Sequence, residues 1–132
     1  MGAVLVLSVI TPNGQRRIAG VVAGESGRYA DLIRRSFAYD GIQIHHMPQA
    51  AMNFTSRADG GAIALTDLEH SFTRTFAGRG RVVANQERGM PFRTILARDI
   101  RDVRRITGSK YNQGLLELLD YYRANHSSLM LK

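Results

Sequence analysis

A chain of 132 residues is the size of one ordinary domain and is long enough to bury a core without disulfide staples. Its 44% hydrophobic and 22% charged residues are the composition of a globular protein, and the absence of cysteine excludes disulfides, thiolate metal sites and a cysteine nucleophile. Lys and Arg number 18 against 11 acidic residues, a formal net charge of +7, which points to a polyanionic partner or to Arg-rich contacts with other subunits.

The longest apolar stretch, Ala3 to Ile10, is far short of the roughly 20 residues of a spanning helix, so no membrane span is expected. It reads as a buried strand, since no basic residue precedes it and no small-residue cleavage site follows. Val4 to Ile10 is rich in branched residues and is followed by Thr11-Pro12-Asn13-Gly14, a turn signal that sends the chain back as a strand over Arg16 to Ala23. Gly20 inside that strand predicts a bulge or a close approach by another element.

Ser26 stands as an N-cap candidate. Tyr29, Leu32, Ile33 and Phe37 follow at helical spacing, with Arg28, Asp31, Arg34 and Arg35 on the opposite arc. Asp40-Gly41 closes this helix. Ile42 to Met47 is a short strand, which would send the side chains of His45 and His46 to opposite faces. Ala50 to Arg57 leans towards strand, 58–61 is a turn, and Ala62 to Leu65 is a strand. Thr66 and Glu69 have the spacing of a capping box.

Phe72 to Ala77 and Arg81 to Gln86 pattern as a second hairpin about Gly78-Arg79-Gly80. Arg side chains facing each other across it would repel, so this hairpin is expected to present them outwards. Pro91 opens a helix over 91–106 with Phe92, Ile95, Leu96, Ile100, Val103 and Ile106 on one arc. Arg93, Arg98, Arg101, Arg104 and Arg105 lie on the other. Thr107-Gly108 ends it, Ser109 can cap the next helix, and Tyr111, Leu115, Leu118, Leu119 and Tyr122 give that helix its apolar stripe. The expected architecture is a single α+β domain over 1–132. An antiparallel sheet with an N-terminal β-hairpin carries one helix on one face and a C-terminal pair of amphipathic helices on the other.

The charge is concentrated. Phe72 to Arg105 holds nine Arg and three acids, a net of +6 in about a quarter of the chain. Arg makes flat bidentate pairs with phosphate or carboxylate, although genomic base composition alone also enriches Arg, which supplies 16 of the 18 cations. The candidate nucleic-acid or partner-binding residues are Arg79, Arg81, Arg88, Arg93, Arg98, Arg101, Arg104 and Arg105. Asp99 falls inside the apolar arc of helix 91–106. An unpaired buried carboxylate is costly, so it should meet an Arg from the sheet, or else act as a metal ligand or general base.

The histidines have no metal-ligand spacing, and neither a P-loop nor a nucleophile elbow is present, so no metal, cofactor or catalytic residue is assigned. Gly20, Gly24 and Gly27 at a strand-to-helix junction could offer backbone N–H groups to an anion. The first functional expectation is a non-enzymatic structural or assembly module. It would dock onto other subunits of an oligomer or larger assembly through Arg-rich surfaces, beside DNA or RNA in a virion, secretion or nucleoprotein assembly. The alternatives are a nucleic-acid-binding protein using the Arg face of helix 91–106, and a small nuclease or hydrolase using Asp99 and a histidine. The lack of cysteine fits a reducing compartment such as the cytoplasm, or a virion.

Overall fold

Gly-Ala-Ile-Ala-Leu-Thr at 61–66 alternates small and large side chains, and this alternation sets the architecture. In the computed structural model, which describes residues 8–10, 16–18 and 20–131, the segment is the central strand of a three-stranded antiparallel sheet. The strands are β1 (Ser8–Ile10), β2 (Arg16–Ile18), β3 (Ser26–Arg28), β4 (Ile42–His46) and β5 (Gly61–Thr66). The helices are α1 (Tyr29–Arg35), α2 (Asp67–Ser71), α3 (Gly78–Glu87), α4 (Phe92–Thr107) and α5 (Asn112–Asn125). Single 3-10 turns lie at Ala50–Met52 and Ser127–Leu131. β5 sits between β3 and β4, with Ser26 and His45 both opposite Ile63.

Because side chains alternate along a strand, Ile63 and Leu65 face one side and Ala62 and Ala64 the other. The first face carries the C-terminal helices. Ile63 and Leu65 share one core with Phe92, Leu96 and Val103 of α4 and with Leu115, Leu118 and Tyr122 of α5. The second face carries α1. His46, paired with Ala62, stacks on Tyr29 with ring centroids 4.0 Å apart. Residues 61–65 are buried throughout, as a sheet covered on both faces requires. The α+β architecture expected from the sequence is therefore present, with one helix on one face and the C-terminal pair on the other.

Two contacts seat α5. The Tyr122 hydroxyl accepts a hydrogen bond from Gly61 N–H at 2.8 Å and donates one to Met47 C=O at 2.6 Å, so one side chain joins the start of β5 to the end of β4. Its ring occupies the space a Cβ on Gly61 would need, 2.6 Å away. At the other end, a Cβ on Gly114 would lie 2.0 Å from Gly24 O, and a Cβ on Gly24 would lie 2.7 Å from the Tyr111 ring. The helix can approach the chain ahead of β3 this closely only because both positions are glycine.

The arms of the N-terminal hairpin pair antiparallel from Ser8↔Ile18 to Ile10↔Arg16, as a sheet of their own rather than as part of the larger one. Residues 4–7 of the expected strand and the 11–14 turn lie outside the described residues. The returning strand is described over Arg16–Ile18, and residues 20–23 are not strand. The close approach expected at Gly20 is made by Phe37, 3.2 Å from where a Cβ would stand. Ser26 is a β3 residue and caps nothing; its hydroxyl donates to Gly114 C=O, and α1 begins three residues later. Thr66 and Glu69 do form the capping box, at 3.1 and 2.9 Å.

Two strand expectations are corrected. Ala50 to Arg57 is a 3-10 turn followed by bends, because Asn53 takes a left-handed conformation (φ 57°) that reverses the chain. The second hairpin does not exist: 72–77 is a run of turns and bends, and 78–87 is helix α3. Its buried residues are Gly80, Ala84 and Glu87, a helical spacing. That stripe is small and charged rather than apolar, so hydrophobic periodicity does not register it, and Val82-Val83 pulls the reading towards strand.

Replacing Tyr122 by Phe keeps the ring and strips the hydroxyl from two buried backbone groups. We expect a loss of about 2 kcal/mol, read as a lower urea midpoint with an unchanged denaturant slope. An unchanged midpoint would show that water or a local shift satisfies both groups.

Candidate docking surface

The short loop between α2 and α3 buries part of a cation, and three of the eight predicted arginines are engaged around it. The Arg74 guanidinium forks onto both oxygens of Glu87 in α3 at 3.0 and 2.9 Å, and its Nε donates to Asp99 Oδ1 in α4 at 2.9 Å. The Arg74 backbone N–H donates to Asp102 Oδ2 at 2.7 Å. Glu87 and Asp99 are 2% and 3% exposed. The cation expected beside Asp99 is thus present, but it comes from the α2–α3 loop and not from the sheet.

Asp99 Oδ2 is buried with no partner. Burial pushes the carboxyl up to about 7; Arg74 opposes this, while Glu87 and Asp102 add to it. His45, on the core face of β4, meets His70 edge-on with ring centroids 5.3 Å apart. Burial pushes its imidazole down to about 3, and the nearby charges of His70, His46 and Arg74 act in the same direction. Asp99 and His45 are each almost sealed from solvent. A general base that must meet substrate needs access that this carboxylate lacks, and its geometry is that of a structural ion pair. Among the described residues no group of three His, Asp or Glu side chains could hold a metal ion.

The eight predicted arginines fall into two sets. Arg98 donates to Glu87 Oε2 at 3.0 Å. Arg105 donates to Asp102 Oδ1 at 2.7 Å and to Phe72 C=O at 3.1 Å. Arg79 donates to the carbonyls of Ser71 and Thr73 and lies over the Phe76 ring. Arg79 and Arg105 hold carbonyls of the α2–α3 loop, and Arg98 shares Glu87 with Arg74. Arg88 reaches only Asn85, at 3.1 Å. Arg81, Arg93, Arg101 and Arg104 are exposed and have no side-chain partner among the described residues. The structure therefore divides a set that the sequence presents as one patch.

Three of the unpartnered arginines belong to α4 and border a groove that α4 forms with α5. One depression, of about 320 Å³, has a floor of Leu96, Ala97, Ile100, Leu119 and Met130 and a rim of Arg93, Arg101 and Arg123. The next, of about 260 Å³, is lined by Ile100, Leu115, Leu116 and Leu119 with Arg104 and Asn112. Ile100 and Leu119 belong to both, so the two form one continuous apolar furrow. Leu116 is 56% exposed on its edge. Arg123 has one carboxylate neighbour, Asp120 at 3.4 Å, and both side chains are solvated.

Sequence reasoning missed Arg74, Arg123 and the furrow itself. Arg74 was hidden by its placement in a strand pattern. Arg123 and Leu116 could have been found by plotting α5 on a helical wheel, where each falls beside the apolar stripe and not opposite it. The glycine junction is not an anion cradle. Gly24 N–H donates to Ala64 C=O at 2.8 Å, and the first amides of α1, Tyr29 and Ala30, donate to Gly60 and Ala58 carbonyls. No protein-family model, curated protein or solved structure matches this chain. Among the described residues no helix is long and apolar enough to cross a membrane.

The two buried groups pull stability in opposite directions with pH. Asp99 titrates higher folded than its ordinary 3.8, so its contribution is full below that value and is lost as pH rises towards 7. His45 titrates lower folded than its ordinary 6.5, so its contribution is full above that value and is lost as pH falls towards 3. His46 and His70, also lowered by burial, act with His45. Between about pH 4 and 6.5 the effects offset. Relative to the wild type, Asp99→Asn should lose more stability from pH 7 to pH 4 and His45→Leu should lose less. Urea unfolding at each pH measures this, and parallel profiles for all three proteins would mean that neither group is shifted.

Proposed function

We propose that this domain is a non-enzymatic docking module that joins other protein subunits of an assembly through the face built by α4 and α5. One observation carries the reading: the arginines of α4 that have no carboxylate partner among the described residues border an exposed apolar furrow. Protein interfaces combine an apolar centre with a polar rim, and Arg is enriched in them because its stem packs while its planar head pairs. A phosphate backbone would engage the cations but leave the leucine floor in water. The companion reading, binding to DNA or RNA, is favoured by Arg81 and Arg88, which are exposed and have no carboxylate partner among the described residues.

A photo-crosslinking residue at position 116 should form an adduct with another protein in cells. The adduct should disappear in Arg101→Glu/Arg104→Glu and be absent with the probe at Leu68, an exposed site on α2. Purified protein should bind oligonucleotides only weakly, with binding lost near physiological salt. Sub-micromolar oligonucleotide binding whose salt slope implies about four or more neutralised phosphates, and which the same double variant abolishes, would replace the docking reading with the nucleic-acid one. Adducts that map to residues 1–7 of the same chain would also end the docking reading.

A further inference from the structure

On the reading that the α4–α5 face docks a protein, we infer that its occupant is an amphipathic α-helix carrying acidic residues along one flank. The furrow runs between two helices, and its described walls are side chains, with no sheet edge to pair with. An extended peptide laid there would leave backbone N–H and C=O groups facing a leucine floor, whereas a helix satisfies its own.

The dimensions agree. Arg93 to Arg104 spans twelve residues of α4, about 16 Å at the helical rise, which is about three turns of a docked helix. Two apolar depressions that share Ile100 and Leu119 call for two or three apolar anchors at i, i+3 or i+4, and i+7.

The charge assigns the flanks. Arg93, Arg101 and Arg104 all stand on the α4 wall with no carboxylate partner among the described residues. On the α5 side the lining is Asn112, Leu115, Leu116, Leu119 and Arg123, and the one cation there already has a carboxylate, Asp120, at 3.4 Å. The acidic stripe of the occupant should therefore face α4, and its other flank should be neutral or polar. Residues 1–7 of this chain contain no acid and cannot supply the stripe. A second copy carries the same +7, so bringing two copies together adds net repulsion where the furrow asks for negative charge.

The test uses the full chain and a displayed library of random peptides of about 16 residues, counter-selected on the Leu116→Glu variant. Leu116 is exposed, and circular dichroism checks that the variant folds. The enriched peptides should carry apolar residues at helical spacing with Asp or Glu on one flank. The best of them, labelled and followed by fluorescence anisotropy, should bind Leu116→Glu and Arg101→Glu/Arg104→Glu at least about tenfold more weakly than wild type. Its Glu→Lys version should recover affinity for the double variant, a charge swap that general damage to the fold would not produce.

Four results would overturn the inference: enriched peptides without an acidic bias, equal affinity of the acidic and lysine versions, a wild-type dimer that Leu116→Glu disperses, or phosphatidylglycerol vesicles that displace the peptide. If these appear while the crosslink at position 116 persists, docking stands and only the nature of the occupant is wrong. Loss of both would remove the docking reading as well.

Discussion

The Arg74 guanidinium is the contact on which the second half of the molecule depends. It joins Glu87 of α3 to Asp99 of α4, and its own backbone amide is held by Asp102. Three carboxylates of two helices could not be buried together without it, since each is costly out of water and they repel one another. Arg98 and Arg105 close the cluster from outside, so the charge balance of the interior is met by three arginines against three acids. The loop that carries Arg74 is irregular because its direction is set by these bonds and by the carbonyls that Arg79 holds.

That arrangement decides what the surface can do. An arginine engaged with a buried carboxylate has its charge largely neutralised and its head group oriented, and it contributes little to a distant anion. Arg93, Arg101 and Arg104 make no side-chain hydrogen bond or ion pair with that cluster among the described residues and remain solvated. They stand beside a part of the α4–α5 seam where leucine, isoleucine and methionine line an open furrow. A basic patch that looks uniform along the chain is thus two patches, one holding the fold and one facing outwards.

The α5 helix shows the complementary constraint, that of backbone approach. Gly114 and Gly24 bring main chain to main chain, and Tyr122 then bonds to the strand ends with its hydroxyl. With its inner face fixed on the sheet, α5 turns its flank of Leu116, Leu119 and Arg123 towards α4, and the furrow results.

The sequence by itself determined the elements whose signal is local. The amphipathic arcs of α4 and α5, the strands read over 42–47 and 62–65 and found at 42–46 and 61–66, the Thr66–Glu69 cap and the opposed faces of His45 and His46 all follow from periodicity and capping chemistry over a few residues. It also asked for a partner for Asp99, an Arg of the sheet or else a role as metal ligand or general base, because an unpaired carboxylate in an apolar arc is costly. Tertiary structure decided the rest. It chose Arg74 as that partner, made 78–87 a helix whose buried stripe is Gly80, Ala84 and Glu87, and separated the structural arginines from the free ones. Those choices depend on which residues meet across tens of positions, and neither helical period nor local charge density carries that information.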